Sequence, residues 1–197
     1  FQRSKTPSGC FKPVGWTSIA IDSNDHIHIA FYDTTGGDLY YVVSNTSGSW
    51  VSTWLEKIGY AGGMALDIAI SPITDEPGIS YFDGDPDDLK YRVYDGTSWT
   101  TTTVVSSGSV GRYNSLIYDS QGSAHISYEN NTADDLWYAT DATGSWVTKG
   151  IHESSSSIGL YTAIAVDIND DLHIAYRHNT GQDVYHATVQ GHNTGSS

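Results

Sequence analysis

The chain has 197 residues and a net charge of −14, with 9 basic against 23 acidic side chains. A surface so acidic repels phosphate backbones and anionic lipid, which excludes nucleic-acid and membrane-surface partners. No apolar run approaches the roughly 18 residues that span a bilayer, so membrane insertion is excluded as well, and the single cysteine, Cys10, excludes an internal disulfide.

In chain order, residues 1–15 come first, a stretch that resembles the end of a repeat more than its beginning. Ile19-Ala20-Ile21-Asp22 then opens a unit, followed by His28-Ile29-Ala30-Phe31-Tyr32-Asp33, by Asp38-Leu39-Tyr40-Tyr41, and by a turn with Trp50. The same order returns three times. The second unit carries Ile68-Ala69-Ile70-Ser71, Gly78-Ile79-Ser80-Tyr81-Phe82-Asp83, Asp88-Leu89-Lys90-Tyr91 and Trp99. The third carries Leu116-Ile117-Tyr118-Asp119, His125-Ile126-Ser127-Tyr128-Glu129-Asn130, Asp135-Leu136-Trp137-Tyr138 and Trp146. The fourth carries Ile164-Ala165-Val166-Asp167, His173-Ile174-Ala175-Tyr176-Arg177-His178 and Asp183-Val184-Tyr185-His186. The central isoleucine recurs at 29, 79, 126 and 174, and an aspartate follows nine residues later each time.

Short β-branched and aromatic runs bounded by Gly, Asn and Asp read as strands and turns. Each unit therefore predicts four strands, A to D, with a small apolar strand A nearest a crowded axis. Four-stranded antiparallel units at this period predict an all-β fold, a β-propeller of four repeats. The expected blades are 16–59, 60–111, 112–159 and strands A–C in 160–197, with 1–15 supplying strand D of the last blade. Joining Ser197 back to Phe1 regenerates the missing Gly-Ser-Trp turn as Gly-Ser-Ser-Phe. A segment of a larger ring, or a homo-oligomer in which two chains make one ring, is the alternative. A start at Phe1 fits a mature product or an excised segment. The Ser/Thr/Asn-rich, Lys-poor composition and the sequons at Asn45 and Asn130 point to an extracellular or cell-surface location.

Strands A and B resemble those of NHL-type propeller repeats, where an apolar strand ending in Asp precedes a second strand. The C–D turns Asp95-Gly96-Thr97-Ser98-Trp99 and Asp141-Ala142-Thr143-Gly144-Ser145-Trp146 resemble a worn Asp-box, the turn of sialidase-type propellers, with Asn45 in place of the Asp of the first unit. The resemblance implies a propeller architecture and does not imply an activity. Arg3, Arg92, Arg112 and Arg177 are the only arginines and do not share a strand position, so a sialidase arginine cluster is not implied.

A residue that recurs in every unit is structural by expectation, and one that breaks the pattern is a candidate for function. Asp38, Asp88, Asp135 and Asp183 are expected to accept backbone N–H groups in the B–C turns. His28, His125 and His173 are expected to bond Asp22, Asp119 and Asp167 within their blades, a pair that the second unit loses together as Ser71 and Gly78. Binding is expected where the D–A and B–C loops meet. There Trp16, Tyr60, Tyr113 and Tyr161 offer aromatic faces, and Asp33, Asp83, Glu129, Asn130, Arg177 and His178 offer polar groups. Such a surface suits sugar rings, whose C–H faces stack while hydroxyls bond. The competing role for these aromatics is to plug the ring. Asp83, Asp85 and Asp87 are alternating carboxylates of the kind that hold calcium, although Tyr94 stands where an EF-hand needs Glu. No other cofactor is expected. The function expected is non-enzymatic binding of a glycan or surface protein. One alternative is a carbohydrate-active enzyme, either a polysaccharide lyase or a glycoside hydrolase, using His178 with Tyr161 or Asp33 with Glu129. The other is a self-assembling structural module.

Overall fold

The computed structural model describes residues 14–45, 47–59, 65–153 and 158–190. These residues form fifteen strands and no helix. Short runs rich in β-branched and aromatic residues, bounded by turn residues, shape them as strands rather than helices. β1 (Val14–Ile21), β2 (Ile27–Asp33), β3 (Asp38–Ser44) and β4 (Trp50–Lys57) make the first antiparallel sheet, paired in chain order. β5 (Leu66–Ile70), β6 (Pro77–Asp83), β7 (Asp88–Tyr94) and β8 (Trp99–Val105) make the second. β9 (Val110–Tyr118), β10 (Ala124–Asn130), β11 (Asp135–Thr140) and β12 (Val147–His152) make the third. β13 (Ile158–Val166), β14 (Leu172–His178) and β15 (Val184–Val189) make a fourth sheet of three strands. These are propeller blades. The expectation that residues 1–15 supply strand D of the fourth blade falls almost wholly outside the described residues.

Inner strands pack in sequence, β1 on β5, β5 on β9 and β9 on β13, and among the described residues the sheets do not close into a ring. The blades share their cores with their neighbours: Ile79 and Tyr81 of the second blade lie in one cluster with Ala30, Leu39 and Tyr41 of the first. Ile68, Leu116 and Ile164 are buried against the preceding blade, whereas the equivalent Ile19 is 63% exposed and nearby Ile21 60%. The difference is positional, because among the described residues no blade packs on that side of β1. The strand-D tryptophans wedge the blades together, Trp99 edge-on to Tyr41 at 4.9 Å and Trp146 edge-on to Tyr91 at 5.1 Å.

The expected Asp–His contact occurs in three blades. His28 Nε2 lies 3.3 Å from Asp22, His125 Nε2 3.1 Å from Asp119 and His173 Nε2 3.5 Å from Asp167. On the other side of the ring, Nδ1 of His28 meets the Tyr41 hydroxyl at 2.7 Å and Nδ1 of His125 meets that of Tyr138 at 2.6 Å. The imidazoles of His28 and His125 are thereby satisfied at both nitrogens between packed sheets. Burial pushes the Asp22 carboxyl up, but bonds from His26, His28 and the Asn24 N–H outweigh it and hold the group at about 2.

The second blade, lacking both partners, is completed by the third. Tyr118 of β9 reaches into the space over Gly78 and bonds the Tyr91 hydroxyl there. A methyl group on Gly78 collides with the Tyr118 hydroxyl and comes within 3.0 Å of the Tyr91 ring. Gly78→Ala is therefore expected to lower stability by about 1–3 kcal/mol, the usual cost of overpacking. The check is a lower denaturant midpoint with an unchanged slope.

Candidate functional site

The D–A connections build the central end of the molecule. Gly111 and Gly159 have φ of 101° and 84° and lie against the preceding blade, where a Cβ would come within 2.9 Å or less of the Cα of Leu89 and Leu136 respectively. Two residues later the chain bulges out of register with strand B, and Tyr113 and Tyr161 adopt φ of 50° and 51°. A bulky side chain in the left-handed region is costly, about 1–3 kcal/mol, and is held only where the surroundings impose it. Here that backbone sets the two rings against each other, centroids 4.5 Å apart and tilted by 46°. With Trp16 they line a central cavity of about 270 Å³. Trp16 is 44% and Tyr161 54% exposed. Both side chains therefore keep an exposed face at the cavity. Tyr60 lies outside the described residues.

Beneath the aromatics the cavity is polar. The Asp67 carboxylate accepts the Ser18 hydroxyl at 2.6 Å, the Ser115 hydroxyl at 2.9 Å and the Leu116 N–H at 2.8 Å. One side chain thus ties three inner strands. Asn114 accepts the Ser80 hydroxyl at 2.6 Å, and the Thr162 hydroxyl donates to the Tyr113 carbonyl at 2.7 Å.

A second cleft, of about 340 Å³, opens beside Tyr113 and Tyr161 between the third and fourth blades. Its character comes from one repeat position, the fourth residue counted from the strand-B isoleucine. Tyr32 occupies it in the first blade, buried with its hydroxyl donating to the Gly59 carbonyl at 2.8 Å. Phe82 occupies it in the second, buried under the Arg112 guanidinium at 5.3 Å. In the third and fourth blades the position holds Glu129 and Arg177, and both line the cleft with Arg112 and Asp134. Glu129 is 2% exposed, and its Oε2 has no hydrogen-bond partner among the described residues. Burial pushes its carboxyl up to about 7, against the pull of Arg112 and with a small push from Asp134. At neutral pH this group is poised to accept or donate a proton. The Arg177 guanidinium lies 6.0 Å over the Tyr161 ring. Burial and the Tyr161 hydroxyl raise the Tyr113 phenol.

Thus Tyr113, Tyr161, Glu129 and Arg177 come together as one surface, joined to Trp16 through the central cavity. The other polar candidates do structural work. Asp33 accepts the Thr35 N–H at 2.8 Å, Asp83 the Asp85 N–H at 3.2 Å, Asn130 the Thr132 N–H at 3.2 Å, and His178 Nδ1 the Gly181 N–H at 3.0 Å. These residues, which end strand B, cap the B–C turns, the role expected of the Asp38 series. Asp38 instead accepts the Trp54 indole N–H at 3.1 Å. Asp83 is also ion-paired with Lys90, which bonds Glu56 at 2.9 Å. Asp83, Asp85 and Asp87 are not drawn together around a common point, and no group of three His, Cys, Asp or Glu placed for a metal occurs among the described residues. Arg112, Asp134 and Asp67 were not expected at the site. Charge at a position that is aromatic in the first two blades was the signal pointing to Glu129 and Arg177. Arg112 and Asp67 carry no such mark.

No family model and no curated protein matches this sequence. Its fold does match solved structures. Aleuria aurantia lectin in complex with Fucα1-6GlcNAc superposes with a TM-score of 0.65 at 17% identity, over 89% of this chain and 58% of the lectin. The polysaccharide lyase Uly1 gives 0.58 at 14% identity over 99% of this chain and 56% of the lyase. The NanB sialidase of Streptococcus pneumoniae gives 0.58 at 16%, over 85% of this chain and 28% of the sialidase. The chain spans just over half of the lectin's length. At these identities the likeness establishes the propeller fold.

Glu129 makes stability depend on pH in a definite direction. Its carboxyl titrates near 4.5 when unfolded and near 7 when folded. Below pH 4.5 both states hold the proton and nothing is lost. Between 4.5 and 7 only the folded state holds it, so stability falls as pH rises and levels off above 7. Glu129→Gln is expected to remove this decline and to be more stable than the parent at pH 8 by roughly 1–3 kcal/mol. Denaturant titrations of both proteins at pH 4.5, 6 and 8 check this.

Proposed function

We propose that this chain is an extracellular carbohydrate-binding propeller that holds a saccharide at the end where Trp16, Tyr113 and Tyr161 surround the central cavity. The observation that carries the reading is the pairing of half-exposed aromatic faces with a polar floor in one concavity. Aromatic rings offer apolar area to the C–H face of a pyranose, and Asp67, Asn114 and the serine hydroxyls supply partners for its hydroxyls. The strained backbone at Tyr113 and Tyr161 supports a functional role for those rings. The lectin, lyase and sialidase among the structural neighbours support a saccharide over other small molecules.

One observation favours a second reading, a carbohydrate-active enzyme. A buried carboxyl ionising near neutrality beside two tyrosines is the equipment of general acid–base catalysis.

A glycan array probed with and without calcium tests both. Trp16→Ala and Tyr161→Ala are each expected to weaken binding of the best glycan at least tenfold, with little change in thermal stability. Full binding by both variants overturns the placement of the site. Cleavage of a bound polysaccharide, abolished in Glu129→Gln, replaces the binding module with the enzyme.

A further inference from the structure

Two of the four arginines in this acidic chain line the same cleft, and Arg92, a third, is already engaged by Glu56 and the Leu55 carbonyl. Neither the Arg112 nor the Arg177 guanidinium has a hydrogen-bonded acceptor among the described residues. Each rests on an aromatic ring, Phe82 and Tyr161 respectively. Arg112 Nε is buried without a partner, and so is Glu129 Oε2 across the same space. Unpaired buried donors and acceptors are expensive, about 1–3 kcal/mol each, and these two belong to side chains that line one cleft. No ion pair joins Arg112 to Glu129, so the cations are not spent on that carboxyl.

We infer that the cleft between the third and fourth blades is a subsite for the carboxylate of an acidic saccharide, held by the Arg112 and Arg177 guanidinium groups with Glu129 beside it. The inference rests on the carbohydrate reading and names the ligand class. A guanidinium fork matches a planar carboxylate in two parallel N–H···O bonds. The neighbouring Tyr161 and Tyr113 rings take the sugar that bears it. Glu129 decides between kinds of anion. Burial keeps its proton on to about pH 7, so in mildly acidic solution it is a donor to the ligand carboxylate and not a repelling charge. The charged and titratable groups that line the cleft around it are Arg112 and Tyr113 from β9, Asp134 just before β11, Tyr161 from β13 and Arg177 from β14. A carboxylate is the stronger acceptor for that proton than a sulfate ester. Ionisation of Glu129 at higher pH places two carboxylates side by side and weakens binding.

The test is calorimetric titration of the whole chain with a glucuronate-containing oligosaccharide, its carboxyl-reduced neutral counterpart and a sulfated neutral counterpart. At pH 6 the uronate is expected to bind at least tenfold tighter than either. Arg177→Gln, which loses only a contact with an exposed ring, is expected to erase that preference. From pH 6 to pH 8 uronate affinity is expected to fall at least fivefold in the parent and to stay level in Glu129→Gln, which keeps a donor and loses the titration. Equal affinity for the uronate and its reduced counterpart overturns the subsite and leaves the carbohydrate reading standing, as does equal affinity for the sulfated sugar. No binding of any of the three, with an empty glycan array, overturns both.

Discussion

Each inner strand of this fold pairs with strand B on one side only, so its other edge turns unpaired N–H groups toward the neighbouring inner strand. An unpaired edge is a cost that a buried strand cannot carry. The molecule meets it with short polar side chains. Asp67 takes the N–H of Leu116 and of its own neighbour Ile68, while Ser18 and Ser115 bond its two oxygens. The Ser115 hydroxyl in turn lies 3.4 Å from the Ile164 N–H. A chain of hydroxyl, carboxylate and hydroxyl thus spans all four inner strands at one level. The same groups are the floor of the central cavity, so the candidate site stands on the most constrained part of the molecule, as binding geometry requires.

Departures from the repeat have two physical outcomes here. Loss of the Asp–His pair in the second blade is compensated by a neighbour: Gly78 gives up volume, Tyr118 fills it, and a tyrosine pair replaces the imidazole. Nothing is left open. Replacement of Tyr32 and Phe82 by Glu129 and Arg177 is not compensated. It leaves an orphaned carboxyl oxygen, a carboxyl pushed toward neutrality and a cleft. The first departure preserves a core, whereas the second leaves a cost in stability uncompensated within the described residues.

Much of this was legible in the residues. The recurring isoleucine located strand B in every blade, and joint replacement of Asp and His by Ser71 and Gly78 in the second blade marked the Asp–His contact as a pair. The aromatics at the D–A loops were placed at the opening because they precede strand A. What the sequence could not carry was register. Bulges at Tyr113 and Tyr161 set those rings together, and a bulge leaves no composition of its own. Asp33, Asp83, Asn130 and His178 were expected at the loop face from their place in the B–C loops, and each also makes a local turn hydrogen bond that the sequence alone did not show. Burial of Glu129 depends on the adjoining blade, information that lies some thirty residues further along the chain at Leu160 and Tyr161.

The two halves of the site are not independent. Tyr113 and Tyr161 line both the central cavity and the charged cleft, and the Thr162 hydroxyl donates to the Tyr113 carbonyl, binding the fourth blade's inner strand to the third's. A ligand that crosses from the aromatic opening to the guanidinium groups therefore passes over one pair of rings whose backbone is already strained into place. Fixing those rings before binding removes an ordering cost that flexible loops would pay on association. The costs visible in the free protein, two left-handed tyrosines and an unpartnered carboxyl, are the counterpart of that preorganisation, and they converge on the same two adjacent blades.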